Sequence, residues 1–263
     1  MQFDFGKNWT NFSKKALDDR RIQQARTDFN QLLSGLNLAG QRFVDIGFGQ
    51  GLSLLLAKEA GAQVVGCDIN KNCLEALRQT SRFFPGMQID DIPLVIGSIL
   101  ETGTVDRLKT LGEHERYDVV HSWGVLHHTG HMSRAIAHAA RLVKPSGKFI
   151  IAIYNRHWSS PLWLIIKRLY CNSPDWVQRI MIGLFFPIIC IAKFLITGKN
   201  PIRQERGMDF FYDVVDWVGG YPYEYATQEE ICAELAKLGF DCERQIAATV
   251  PTGCNQFVFH LRS

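Results

Sequence analysis

The chain has 263 residues, of which 46% are hydrophobic and 21% charged, and a net charge of +3. That length suffices to bury a sizeable core, as one large domain or a domain with an insertion, and the composition excludes long disordered stretches. Seven cysteines, an odd number without a C-x-x-C pair, argue against a disulfide framework or zinc knuckle and for reduced thiols in a cytoplasm.

The opening MQFDFGKNW has no basic stretch followed by an apolar run, so no secretory signal is expected. Residues 1–40 carry Phe3, Phe5, Trp9 and Phe12, then a helical pattern through Ile22, Ala25, Phe29, Leu32 and Leu33. This predicts an arm with a pre-sheet helix. Trp9 and Phe12 serve either to cover a ligand or to staple the arm to the core.

Arg42 to Ile46 is a short apolar run that reads as a buried strand. It enters Asp45-Ile46-Gly47-Phe48-Gly49-Gln50-Gly51, and an apolar helix from Gly51 to Ala60 follows. Glycines spaced two apart make a sharp turn that a ligand can approach closely, at the free N–H groups of a helix start. A dinucleotide fingerprint would need a glycine at position 52, which is Leu52. The carboxylate of Asp45 repels a pyrophosphate and suits an ammonium. Asp68, ending the next strand (Gln63 to Cys67), stands where an acid accepts ribose hydroxyls. The two carboxylates ask for a ligand with a ribose and a positive amino-acid end, a description that S-adenosylmethionine fits.

A helix over Asn70 to Phe83 and a strand over Pro93 to Gly97, ending in Ser98, come next. The fourth strand, Tyr117 to Ser122, leads into Trp123-Gly124-Val125-Leu126-His127-His128. A helix with Ile136, Ala139, Ala140 and Val143 is stopped by Lys144-Pro145-Ser146-Gly147, and Lys148 to Tyr154 forms the fifth strand. Strands alternating with helices predict a doubly wound parallel α/β sheet with ligands at the carboxyl ends of its strands. Gly47, Asp68, Ser98, Trp123 and Tyr154 all fall there.

From Arg156 to Arg206 eight basic residues face only Asp175 and Glu205, so this segment is where an anion or acidic membrane surface would bind. Leu162 to Tyr170 reads as an amphipathic helix. The uncharged run from Ile180 to Ala192, extended by Phe194 to Ile196, falls short of the ~20 residues of a membrane span, with Pro187 inside it and Lys193 interrupting. A protein-packed lid helix is the favoured reading, with peripheral membrane contact through 180–196 as the alternative. Thr227-Gln228-Glu229-Glu230 is a capping box opening a helix that ends at Gly239, and Asp241 to Ala247 and Gln256 to Leu261 are the last two strands.

The motifs DIGFGQG, VVGCDIN and YDVVHSWGVLHH resemble the successive motifs of class I S-adenosylmethionine-dependent methyltransferases. FDFGKNW, SWGVLHHT, ERGMDFFYDVVDWVGGYPYE and GCNQFVF extend the resemblance to a bacterial branch over nearly the whole chain. It implies a Rossmann-like seven-stranded sheet, mostly parallel with the last strand antiparallel, carrying a helical lid insertion. The divisions expected are an arm (1–40), a cofactor-binding core (41–155), an insertion (156–225) and a closing helix and strands (226–263). Asp45, Gly47, Gly49, Gly51, Asp68, Ile69, Ser98, Ile99 and Trp123 are the expected cofactor residues. Many relatives carry an acid where Ser98 stands, so a hydroxyl, or the backbone beside Ile99, must substitute.

Methyl transfer depends first on alignment, which supplies ~7–11 kcal/mol, whereas a general base adds ~10²–10⁴ in rate. His127 and His128 are the base candidates, with Tyr154 beside them. His131 completes H-H-T-G-H, but Gly130 breaks the spacing and no third carboxylate ligand follows, so no metal is expected. Trp9, Asn155, Arg206, Asp213, Asp216 and Tyr221 are the candidates for acceptor binding. Arg206 suits a carboxylate or phosphate, or else pairs with Asp213 or Asp216, which share a helix face. The expected function is methyl transfer to O or N of a small or lipid-like acceptor in biosynthesis, releasing S-adenosylhomocysteine. The rivals are cyclisation of S-adenosylmethionine, which releases methylthioadenosine, and an RNA or protein methyltransferase, for which no nucleic-acid module is present. The expected location is cytoplasmic, with membrane association as an option.

Overall fold

A computed structural model describes residues 2–203 and 209–263. Its centre is a seven-stranded sheet in the order β3-β2-β1-β4-β5-β7-β6. The strands are β1 (Arg42–Ile46), β2 (Gln63–Asp68), β3 (Leu94–Ile96), β4 (Tyr117–Trp123), β5 (Val143–Tyr154), β6 (Phe240–Ile246) and β7 (Cys254–Leu261). The first five pair in parallel, and β7 runs antiparallel to both β5 and β6. Val44, Val120 and Phe149 are fully buried, as expected of parallel strands covered on both faces.

Preceding the sheet, α1 (Phe5–Lys15) and α2 (Asp19–Leu32) form the arm. α3 (Leu52–Glu59), α4 (Cys73–Ser81), α5 (Thr102–Leu111) and α6 (Met132–Ala140) connect the parallel strands. α7 (Ser160–Asn172), α8 (Asp175–Thr197) and α9 (Phe210–Gly219) lie between β5 and α10 (Gln228–Lys237). The capping box opens α10, with Thr227 and Glu230 each bonding the other's backbone. The insertion leaves and returns at one point: Ala226 N–H donates to Tyr154 O at 3.0 Å and Arg156 N–H to Ala226 O at 3.1 Å.

Three expectations need correction. α5 had no counterpart in the sequence reading. β5 begins at Val143, which pairs with Tyr117, so the Lys-Pro-Ser-Gly stretch lies within the strand. A register shift between Tyr117 and Val119 accommodates it there, and an irregular ladder can omit the N–H that Pro145 lacks. α8 runs unbroken for 23 residues, through both Pro187 and Lys193. Pro187 and Gly183, four residues earlier, are both exposed, so water can reach the carbonyl that proline leaves unbonded. Lys193 is drawn to the protein side by Asp213 at 2.9 Å. The same helix fully buries only Ile182, while Met181, Phe185, Phe186, Ile189 and Cys190 pack half-buried on the protein and its other face is left exposed.

Candidate active site

Both halves of the site open into one cavity of about 1990 Å³ at the carboxyl ends of the strands. Asp45, Gly47, Gly49, Asp68, Ile69, Ser98, Ile99 and Trp123 line it. Gly51 does not: it caps α3 with φ +78°, and a Cβ there would run into a Leu77 methyl. Its role is to let the turn pack on α4, a correction to its reading as a ligand contact.

The glycine turn is braced by the carboxylate it faces. Asp68 Oδ2 accepts the Gly49 N–H at 3.0 Å and Oδ1 accepts the Asn70 N–H at 2.8 Å. Burial holds the Asp68 carboxyl above the usual range, opposed by these two bonds. The Asn70 amide reaches Asp4 at 2.6 Å, which ties the arm to the same corner. Trp9 also belongs there rather than with an acceptor, since a Cβ on Gly49 would lie 3.2 Å from its indole nitrogen. Asp45 is buried and bonded through Oδ1 to His121 Nδ1 at 2.8 Å, with Phe43 stacked on the imidazole. Trp123 donates its indole N–H to Gln256, and Ser98 Oγ accepts the Leu100 N–H.

The other half draws on β4, β5 and the insertion. Tyr154, His128, Asp213, Asp216, Trp217 and Trp163 line it, and Ile189, Ala192 and Ile196 of α8 extend it. His128 Nδ1 lies 2.6 Å from the Pro222 carbonyl, so Nδ1 carries the proton and Nε2 is the free acceptor. Burial pushes its pKa down to about 3. Asp216 is half-buried against the cavity and accepts the Asn8 amide at 3.2 Å. Burial, then repulsion from Asp213, pushes its pKa up to about 7. Burial drives the Tyr154 hydroxyl well above 10, so it stays protonated.

Several predicted residues lie elsewhere. His127 does not line the cavity. It is fully buried beside Tyr154 and His128 at 4.1 and 4.4 Å between ring centroids, and neither of its nitrogens has a partner among the described residues. Burial holds it neutral. Asn155 is also outside the lining: its amide donates to Pro251 O and its oxygen accepts from Asn255, which pins the turn before β7. Tyr221 packs beneath α9 rather than in the cavity. Arg206 lies outside the described residues.

Three residues went unassigned in the sequence reading. His121 sits mid-strand and gave no signal. Asn8 stood within the arm motif, but its partner lies 208 positions away. Lys167 was legible, since it falls between Trp163 and Tyr170 on the inward stripe of α7. It is fully buried, donates to the Trp217 carbonyl and lies 4.1 Å from the Trp217 ring and 4.8 Å from that of Tyr223. Burial lowers its pKa to about 7, while Asp216 acts to raise it.

Residues 18–186 match the family model of the methyltransferase domain. The chain is 29% identical to a ubiquinone biosynthesis O-methyltransferase of Rhodopseudomonas palustris over 68% of this chain and 66% of the relative. It is 30% identical to another of that name from Alkalilimnicola ehrlichii, over 60% and 62%. The chain thus spans a little under two-thirds of the length of these curated relatives. The magnesium protoporphyrin IX methyltransferase of Synechocystis PCC 6803, solved with bound S-adenosylhomocysteine, has a similar fold: TM-score 0.55 at 18% identity, covering 93% of this chain and 84% of that one. The chain belongs to the methyltransferase-domain family.

Proposed function

We propose that this chain transfers the methyl group of S-adenosylmethionine to an oxygen of a small, lipid-like acceptor held in the insertion-lined half of the cavity. The observation that carries this reading is the continuity of the cavity from Asp45 and Asp68 at the glycine turn to Asp216, Trp163 and Ile189. The choice of oxygen follows the O-methyltransferase relatives. The apolar side chains from α7 and α8 suit a hydrophobic acceptor, and the outer face of α8 suits peripheral membrane contact.

The donor set fits the methyl donor. Buried Asp45, bonded through Oδ1 to His121, would take the cationic amino-acid end, Asp68 at the adjacent strand end has lone pairs left for ribose hydroxyls, and Trp9 covers Gly49. When bound, S-adenosylmethionine supplies a methyl carbon activated by its sulfonium, with a neutral thioether as leaving group. The residues of this chain align the acceptor and remove its proton. Asp216 is the better base: a group near pKa 7 combines the ionised form with useful basicity, whereas His128 near 3 is always available but weak. As the acceptor oxygen bonds to the methyl carbon, its proton passes to the Asp216 carboxylate. Tyr154 donates a hydrogen bond, and His128 Nε2 accepts one from a second polar group.

Incubation with methyl-labelled S-adenosylmethionine and a panel of phenols and lipid extracts, read by mass spectrometry, tests this reading. A labelled methyl ether is expected. Methylthioadenosine formed without any acceptor would replace methyl transfer with cyclisation.

A further inference from the structure

We propose that α7 and α8 form a docking face for the surface of an anionic lipid bilayer, against which the acceptor half of the cavity opens. The two helices and α9 share one inner cluster, with Tyr170 and Cys171 from α7, Ile182 from α8 and Phe210 and Val214 from α9. Away from it, Leu162, Ile165 and Leu169 on α7 and Ile180, Leu184 and Ile188 on α8 are each more than half exposed. Their spacing of three and four residues makes a continuous stripe on each helix. No described residue covers these stripes, and only 6% of the most apolar window of α8 is buried. Trp158 and Trp176, 84% and 66% exposed, stand at the starts of the two helices, where amphipathic rings suit a headgroup layer.

The length and composition of α8 would let it cross a membrane, but its packing argues against that. Lys193 pairs with Asp213 of α9, and Phe186 stacks edge-on to Phe210 at 5.1 Å. A spanning α8 would drag those charges and α9 into hydrocarbon, so the helix lies in the plane of the surface with one face on protein. Charge selects the partner. Among the described residues of α7, α8 and the turn that follows, Arg168, Arg179 and Lys199 are exposed against one exposed acid, Asp175, which suits anionic headgroups. A second copy seated on the same patch would bring that basic rim against itself.

The docking face is continuous with the cavity. On α8, Ile189, Ala192 and Ile196 line the cavity, while Ile188, Ile191 and Leu195 face outward. Ile196 does both, since it lines the cavity and is 54% exposed. An apolar acceptor dissolved in the leaflet therefore has a lateral way in; this part rests on the methyl-transfer reading, whereas the docking does not.

Vesicle flotation of the full chain tests the proposal, using phosphatidylcholine alone or mixed with phosphatidylglycerol. Co-flotation with the mixed vesicles, weakened by salt, is expected. Leu184→Glu with Ile188→Glu should weaken it by at least about tenfold, while calorimetry reports unchanged affinity for S-adenosylhomocysteine. Should that variant lose this affinity through misfolding, Trp158→Ala with Trp176→Ala carries the same test. Failure to float with either vesicle overturns the proposal. So does a dimer in solution that the same substitutions dissociate. Flotation without any methylated product would uphold the docking and overturn the delivery of acceptor.

Discussion

Asn8 and Asp216 meet at the cavity, the Asn8 amide donating to the Asp216 carboxylate at 3.2 Å and to the Tyr212 carbonyl at 3.3 Å. One side chain of the arm thus orients the acid that α9 contributes to the site. In the pH profile of kcat/KM we expect activity to rise through about pH 7 as Asp216 ionises. Asp216→Asn should remove that limb and lower the rate by ~10²–10⁴. A variant that keeps the limb would assign the base elsewhere. Asn8→Ala should shift the limb upward, because it removes a bond that favours the ionised carboxylate.

Asp68 braces two backbone N–H groups and faces the expected ribose position. Asp68→Ala should weaken S-adenosylhomocysteine binding by roughly 100-fold or more in calorimetry, since both the ribose acceptor and the brace on Gly49 are lost. Asp68→Asn, which keeps one acceptor oxygen, should fall between. Unchanged affinity in the alanine variant would move the ribose to another site.

Gly51→Ala tests the fold rather than the ligand. At φ +78° the backbone cost alone is about 1–3 kcal/mol, and the new methyl also meets Leu77. A urea unfolding curve should shift to a lower midpoint with its slope unchanged.

His128 makes stability depend on acid. Its folded pKa, near 3, lies below the ordinary 6.5, so its contribution is complete above about pH 6.5 and is lost as pH falls towards 3. Thermal melts from pH 7 to pH 4 should fall steeply for the natural chain and less so for His128→Gln. Some slope should persist in that variant, because His127 is shifted in the same direction.

The sheet was legible because its strands are short apolar runs ended by glycine, acid or hydroxyl, and both of their faces are buried. α5 was missed because it buries only Thr104, Val105 and Leu108, too sparse a stripe to register as periodic. The full length of α8 is not legible because its apolar run starts only at Ile180, while the first turns from Asp175 carry Gln178 and Arg179. Most of the residues around the glycine turn could be placed from spacing alone, since one short segment carries them. Asn155 and Tyr221 could not, because what decides their role is a carbonyl at Pro251, an amide at Asn255 and the packing beneath α9. Sequence proximity to the site says nothing of where such partners lie.

The paired hydrogen bonds joining Ala226 to Tyr154 and Arg156 have a consequence for how such a chain can change. They clasp the two ends of the insertion, so the sheet on one side of the clasp closes in the same way whatever lies beyond it. Helices α7 to α9 are in that sense an exchangeable cassette. Lengthening or replacing them costs the sheet little extra loop-closure entropy, because that cost grows only with the logarithm of loop length.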